Sequence, residues 1–131
     1  MRTALAVLIL LWSSSLIYAQ WSLIPQGAVT EKSPLSATPA VLKRGRALYD
    51  LHCARCHGPT GKGDGPDKTN DLAHPAADLT REFRARFNPD GVLFYKVWNG
   101  RIQPMMPAYK DTLSRDDAWA IVEYIKTLRK P

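Results

Sequence analysis

Apolar and polar residues alternate along this chain in four distinct ways. Residues 4–24 carry no charge and are apolar almost throughout, from Ala4-Leu5-Ala6-Val7 to Ser22-Leu23-Ile24. Residues 25–38 hold Pro25, Gly27, Ser33, Pro34, Ser36 and Thr38, which reads as an extended linker. Helical periodicity then begins. Thr38 offers an N-cap and Pro39 suits the first helical position. Val41, Leu42, Gly45, Leu48, Tyr49 and His52 share one face, with Lys43, Arg46 and Asp50 opposite. A second helix is punctuated by Asn88 as cap, Pro89 as opener, Asp90 at the positive end and Gly100 as terminator. Its body holds Val92, Leu93, Phe94, Tyr95, Val97 and Trp98. A third starts at Ser114, with Asp117 completing a capping-box variant. Ala118, Ile121, Val122, Ile125 and Leu128 form its apolar face, flanked by Trp119 and Tyr124. Between the first two lie residues 58–78, mostly loop, with glycines at 58, 61, 63 and 65. No run has strand periodicity and no repeat is visible, so the pattern predicts an all-α domain over 39–131.

The opening stretch stands apart from that domain. Arg2 followed by a long apolar run suits a signal peptide cut after Ala19, with Ile17 and Ala19 at the recognition positions. Residues 4–24 also match the ~20 residues that a membrane helix needs, with Trp21 and Pro25 at the outer interface. Cleavage would leave Gln20-Trp21-Ser22-Leu23-Ile24 as a loose apolar end, so both readings stand. Either one puts the folded part outside the cytoplasm.

The first helix delivers the chain to Cys53-Ala54-Arg55-Cys56-His57. This is the C-x-x-C-H attachment site of a c-type haem. Each cysteine can add to one vinyl group of a single porphyrin, and the histidine can bind the iron. A structural zinc site needs about four ligands, but the chain has no cysteine beyond these two, and only His52 and His74 besides His57. A thioredoxin-type pair needs a βαβ context that the pattern lacks. A plain disulfide leaves His57 unexplained. A long glycine-rich loop needs a reason in a compact domain, and packing on a flat cofactor supplies one. Gly58-Pro59-Thr60-Gly61-Lys62-Gly63 fails as a phosphate loop, because its spacing is wrong and no Ser or Thr follows Lys62.

A second iron ligand is offered by Arg101-Ile102-Gln103-Pro104-Met105-Met106-Pro107-Ala108-Tyr109. Methionine sulfur is soft and suits haem iron, and the prolines limit the loop's freedom. Spacing does not choose between Met105 and Met106. His74, in the loop after His57, is a rival ligand, and His52 reads as a residue packed beside the cysteine segment.

With these residues in view, the chain resembles the monohaem class I cytochromes c of bacterial periplasms over residues 41–128. The resemblance runs through Gly45-Arg46-Ala47-Leu48-Tyr49, Cys53-Ala54-Arg55-Cys56-His57-Gly58, Gly61-Lys62-Gly63-Asp64-Gly65 and Asp78-Leu79-Thr80. It continues through Asn99-Gly100-Arg101, Met106-Pro107-Ala108-Tyr109, Leu113-Ser114 and Trp119-Ala120-Ile121-Val122-Glu123-Tyr124-Ile125. It implies a cytochrome c fold, three to four helices around one covalently bound haem c, behind an N-terminal signal or anchor helix. It also implies that Met106 is the distal ligand and that Gly45 meets the last helix at Tyr124. A loop carbonyl would accept the His57 ring N–H: Pro75 is the candidate, with Ala76 and Ala77 as equals because the usual Pro-x-Leu spacing before Leu79 is missing. Trp98, Arg101 and Tyr109 are implied as neighbours of the haem propionates.

Site residues are thus Cys53, Cys56, His57 and Met106, with His57 and Met106 on the iron. Such ligation leaves no open position, and no acid–base constellation is visible, so the expectation is a one-electron carrier on the periplasmic side rather than an enzyme. The alternative is a dedicated subunit of a membrane-bound dehydrogenase, reductase or oxidase complex. The net charge of +6 suits redox partners with an acidic docking surface. An exported chain without basic clusters argues against nucleic acid.

Overall fold

The computed structural model describes residues 24–67, 76–81, 86–102 and 106–129. Its helices are α1 (Gln26–Thr30), α2 (Pro39–His52), α3 (Ala54–His57), α4 (Asp90–Asn99) and α5 (Arg115–Leu128). Among the described residues there is no strand, only an isolated antiparallel bridge between Arg101 and Met106.

The expected caps hold at both ends of the main helix pair. The Thr38 side chain accepts from the Val41 N–H, and Pro39 opens α2. At α5 the capping box forms in full: Ser114 Oγ accepts from Asp117 N at 3.1 Å, and the Asp117 carboxylate accepts from Ser114 N at 3.4 Å. The carboxyl of Asp117 is held below the usual range by its bond from the Ser114 hydroxyl and by the Arg44 guanidinium. Arg44 reaches it at 2.6 Å and ties α2 to the start of α5.

The packing of α2 on α5 organises the core. A Cβ on Gly45 would lie 2.0 Å from the Ala120 carbonyl oxygen and 3.0 Å from Tyr124 Cβ, so the two backbones touch. The expected crossing is therefore present, centred one turn before Tyr124. Tyr49, one turn beyond Gly45, is wholly buried, and its ring packs at 5.3 Å on that of Tyr124. Helix α4 covers another side of α5. Phe94 stacks on Trp119 at 4.2 Å and on Trp98 at 5.6 Å, and Arg115 lays its guanidinium over Phe94 at 4.6 Å. Because α5 is covered by two helices, its buried set widens to include Trp119, Ala120 and even Glu123, whose carboxylate receives Lys126 Nζ at 3.0 Å.

Two expectations change. Asn88 does not cap α4: Pro89 occupies the cap position without a side-chain bond. The Asn88 side-chain oxygen instead accepts from Lys96, two turns on, and its carbonyl accepts from Arg129. The stretch 25–38 is also not wholly extended, since α1 buries Ala28 and docks on α4. The Gly91 N–H donates to the Glu31 carbonyl, while the Glu31 carboxylate pairs with Arg115 at 3.3 Å. Among the described residues no helix is long and apolar enough to cross a membrane. Residues 4–23 of the expected leader lie outside the described residues.

Gly45→Ala is expected to fall at the upper end of the roughly 1–3 kcal/mol that overpacking costs, because a backbone carbonyl cannot swing aside. Denaturant unfolding would show it as a lower midpoint; an unchanged midpoint would mean that the helices do not depend on this crossing.

Candidate cofactor site

The end of α2 and the short α3 set out the attachment residues in sequence. Cys53 is the hinge between them. Its N–H continues the α2 ladder to Tyr49, and its carbonyl starts α3 by accepting from Cys56 and His57. Cys53 is buried and Cys56 partly exposed, and neither is bridged. Burial pushes the Cys53 thiol up to about 12, with Cys56 adding to the shift. Burial and Asp67 raise Cys56, against Arg55. Both positions therefore favour an uncharged sulfur, which a thioether provides.

His57 is oriented from behind. Its Nδ1 lies 3.0 Å from the Ala77 carbonyl oxygen. A carbonyl only accepts, so Nδ1 carries the proton and Nε2 keeps its lone pair. Burial lowers the pKa of the imidazole, partly offset by the bond to Ala77, and a neutral ring is the form that binds a metal. Of the carbonyls weighed in the sequence, Ala77 fills the role; Pro75 lies outside the described residues. An N–H to carbonyl bond behind a ligating histidine fixes the tautomer and raises its basicity.

The glycine loop holds this segment through its backbone. Gly63 N–H donates to the His57 carbonyl at 2.8 Å, Gly65 N–H to Cys56 at 3.2 Å and Asp67 N–H to Arg55 at 2.8 Å. Carbonyls at the end of a short helix would otherwise lack partners. The Arg55 guanidinium closes the arrangement on Asp67 at 2.6 Å. Further round, Leu79 N–H donates to Gly61, bringing the 76–81 segment with Ala77 up to His57. Tyr49, from the core, donates its hydroxyl to the Gly58 carbonyl at 2.8 Å.

Met106 belongs to a separate loop after α4. It is partly buried and packs against the same core as Cys53, Ala54 and Leu79. Arg101 and Met106 exchange both backbone bonds at 2.9 Å, which fixes the base of the loop. Met105 and His74, the rivals for the distal position, lie outside the described residues. His52 takes the packed role expected, its ring edge-on to Tyr109 at 5.5 Å. Tyr109 has a partner that the sequence did not suggest: its hydroxyl donates to the His52 carbonyl at 2.8 Å. Trp98 is half-buried and stacked on Phe94, and Arg101 is exposed.

Two unbridged sulfurs and an imidazole with one free lone pair on a single short segment, and a half-buried thioether packed on the core that includes Cys53, fit a covalently attached haem. Among the described residues no group of three or more His, Cys, Asp or Glu side chains is placed to hold a metal ion by itself.

A family model described as cytochrome c matches residues 42–129. The chain is similar to the chloroplastic cytochrome c6 of Chlamydomonas reinhardtii, 32% identical over 90 residues, which make up 69% of this chain and 56% of that protein. It therefore spans little more than half of that relative's length. The c-type cytochrome KustC0563 shares the fold, with a TM-score of 0.57 at 22% identity, covering 66% of this chain and 98% of that one. A chain of the reducing HAO-like protein complex of Kuenenia stuttgartiensis gives a TM-score of 0.59 at 28% identity, covering 74% of this chain and 47% of its own.

Tyr49→Phe should lower stability by roughly 1 kcal/mol, the usual net worth of a hydrogen bond. A larger penalty is not expected, because Gly61 N–H still serves the Gly58 carbonyl. Equilibrium unfolding should show a shifted midpoint with an unchanged slope.

Proposed function

This chain belongs to the cytochrome c family, and on that premise we propose that it is a one-electron carrier whose haem is joined to Cys53 and Cys56 and ligated by His57 and Met106. The family binds haem c covalently and transfers electrons through it. Bound here, the group supplies the Fe(II)/Fe(III) couple. The observation that carries the assignment is the His57–Ala77 bond: it presents a neutral imidazole with its tautomer already chosen.

The protein's own residues have defined tasks. Cys53 and Cys56 would hold the haem covalently, at the segment that follows α2. Ala77 keeps His57 from rotating and makes it more electron-rich. Met106 offers a neutral sulfur, which favours the reduced state and raises the potential. With His57 and Met106 both holding the iron, no position would remain for substrate, and ligands fixed by the fold would keep reorganisation small. Exposed Arg55, Lys62, Arg101 and Lys110 lie on the segments that carry these ligands, which suits an acidic docking partner and fast, salt-sensitive encounters.

The protein works on the periplasmic side, as an apolar leader ahead of a haem-attachment motif suits. A second reading, a dedicated subunit of a membrane-bound redox complex, draws support from the likeness to a chain of the HAO-like complex.

The reduced pyridine derivative should have a c-type spectrum with one haem per chain, and haem that extracts into acid acetone would refute covalent attachment. In the oxidised protein, Met106→Ala should abolish the weak far-red sulfur–iron band while Met105→Ala leaves it; the reverse result would reassign the distal ligand.

A further inference from the structure

The Met106 loop is fastened at its base and at its far side, and the two fastenings differ in kind. The base is backbone. Gly100 ends α4 at φ 68°, and a Cβ there would meet the Met106 carbonyl oxygen at 2.5 Å and Ala108 N at 2.7 Å. Arg101 and Met106 then exchange their hydrogen bonds, and Tyr109 and Lys110 donate their N–H groups back to Val97 and Trp98 of α4. All of these bonds tie the loop to α4 alone.

One residue reaches elsewhere. The Tyr109 hydroxyl donates to the carbonyl of His52, the last residue of α2 and the neighbour of Cys53, while its ring takes the edge contact from His52. Within α2 that carbonyl belongs to the final turn, where helical partners run out. The bond therefore joins the loop that carries the distal sulfur to the segment that carries the cysteines. Without it, the described polar contacts of the loop would let it move with α4 and away from the attachment segment.

We propose that Tyr109 is a positioning residue for Met106: the Tyr109–His52 bond latches the distal loop to the attachment helix and sets how often the sulfur leaves the iron. This rests on Met106 being the distal ligand. Opening the latch breaks one neutral hydrogen bond and one ring contact and moves no charge. It should therefore act on ligand exchange more than on the protonation of any group.

The test is binding of added imidazole to the oxidised holoprotein, followed by loss of the far-red band. Tyr109→Phe keeps the ring and loses the bond, and should strengthen imidazole binding about five-fold, the weight of one ordinary net hydrogen bond. Tyr109→Leu, which also loses the ring contact, should do so further. Both should retain the band when no imidazole is present. Thr38→Ala, which removes the cap at the end of α2 opposite His52, controls for general loosening and should leave imidazole binding as in the parent. If Tyr109→Phe binds imidazole as the parent does, or if Thr38→Ala matches it, the latch is refuted while the ligand assignment stands. If Met106→Ala retains the far-red band, the ligand assignment fails and the latch with it.

Discussion

The segment that carries the two cysteines is placed by the contact of two helices at Gly45. There the α2 backbone rests on the Ala120 carbonyl of α5, at a distance that no side chain permits. The contact fixes the direction of α2, and α2 runs straight into Cys53. Tyr49 is buried one turn beyond the crossing, and its hydroxyl holds the first carbonyl after the haem motif, that of Gly58. Helix crossing, tyrosine and loop thus form one chain of support. A shift at Gly45 would be felt at the cysteines before it was felt at the surface.

The ligand-bearing segments depend on a different force. The 58–67 loop adds no large side chain to the buried core, and the stretch around Met106 adds only partly buried ones. Backbone hydrogen bonds hold them in place: three from the glycine loop onto Arg55, Cys56 and His57, and an exchanged pair at Arg101 and Met106. Such bonds are each worth about 1 kcal/mol net, and they matter mainly because an unmade one is expensive. A flat cofactor held by these segments would remove the need for side chains that fill the space. This is why so small a domain can carry so much irregular chain.

The sequence was most legible where a local rule operates. Thr38, Ser114 and Asp117 cap where they should, because capping depends on residues within one turn. The attachment motif is readable because its spacing is the chemistry. Gly45 was legible through its resemblance to a family that shares the crossing. The failures are non-local. Asn88 is the right residue type for a cap, yet Lys96 and Arg129 claim its oxygens from two turns and forty-one positions away. Helix α1 has no periodicity to detect; it forms because Ala28 and Glu31 find the start of α4. Tyr109 could be placed only as a neighbour of the propionates, through the resemblance, and its partner His52, fifty-seven residues earlier, has no signature in the chain. In the proximal site, the choice of Ala77 over its neighbours depends on how Leu79 hangs from Gly61, again a contact across the loop.

Helix α1 also bears on how the electron is carried. A tethered carrier that serves distant partners needs a flexible spacer, and residues 25–38 have the composition of one. Docking of α1 on α4, through the Glu31 carbonyl on Gly91 and the Glu31–Arg115 pair, takes the first part of that spacer out of use. Only Ile24 and Pro25 of the described residues precede the helix. If residues 4–24 stay in a membrane, the haem domain is held close to it with one side of α4 turned to the tether. Such geometry suits a fixed subunit beside its partner. If the leader is removed after Ala19, the same helix closes the end of a free carrier. The processing of the leader thus decides between the two functional readings, and α1 is what makes them mechanically different.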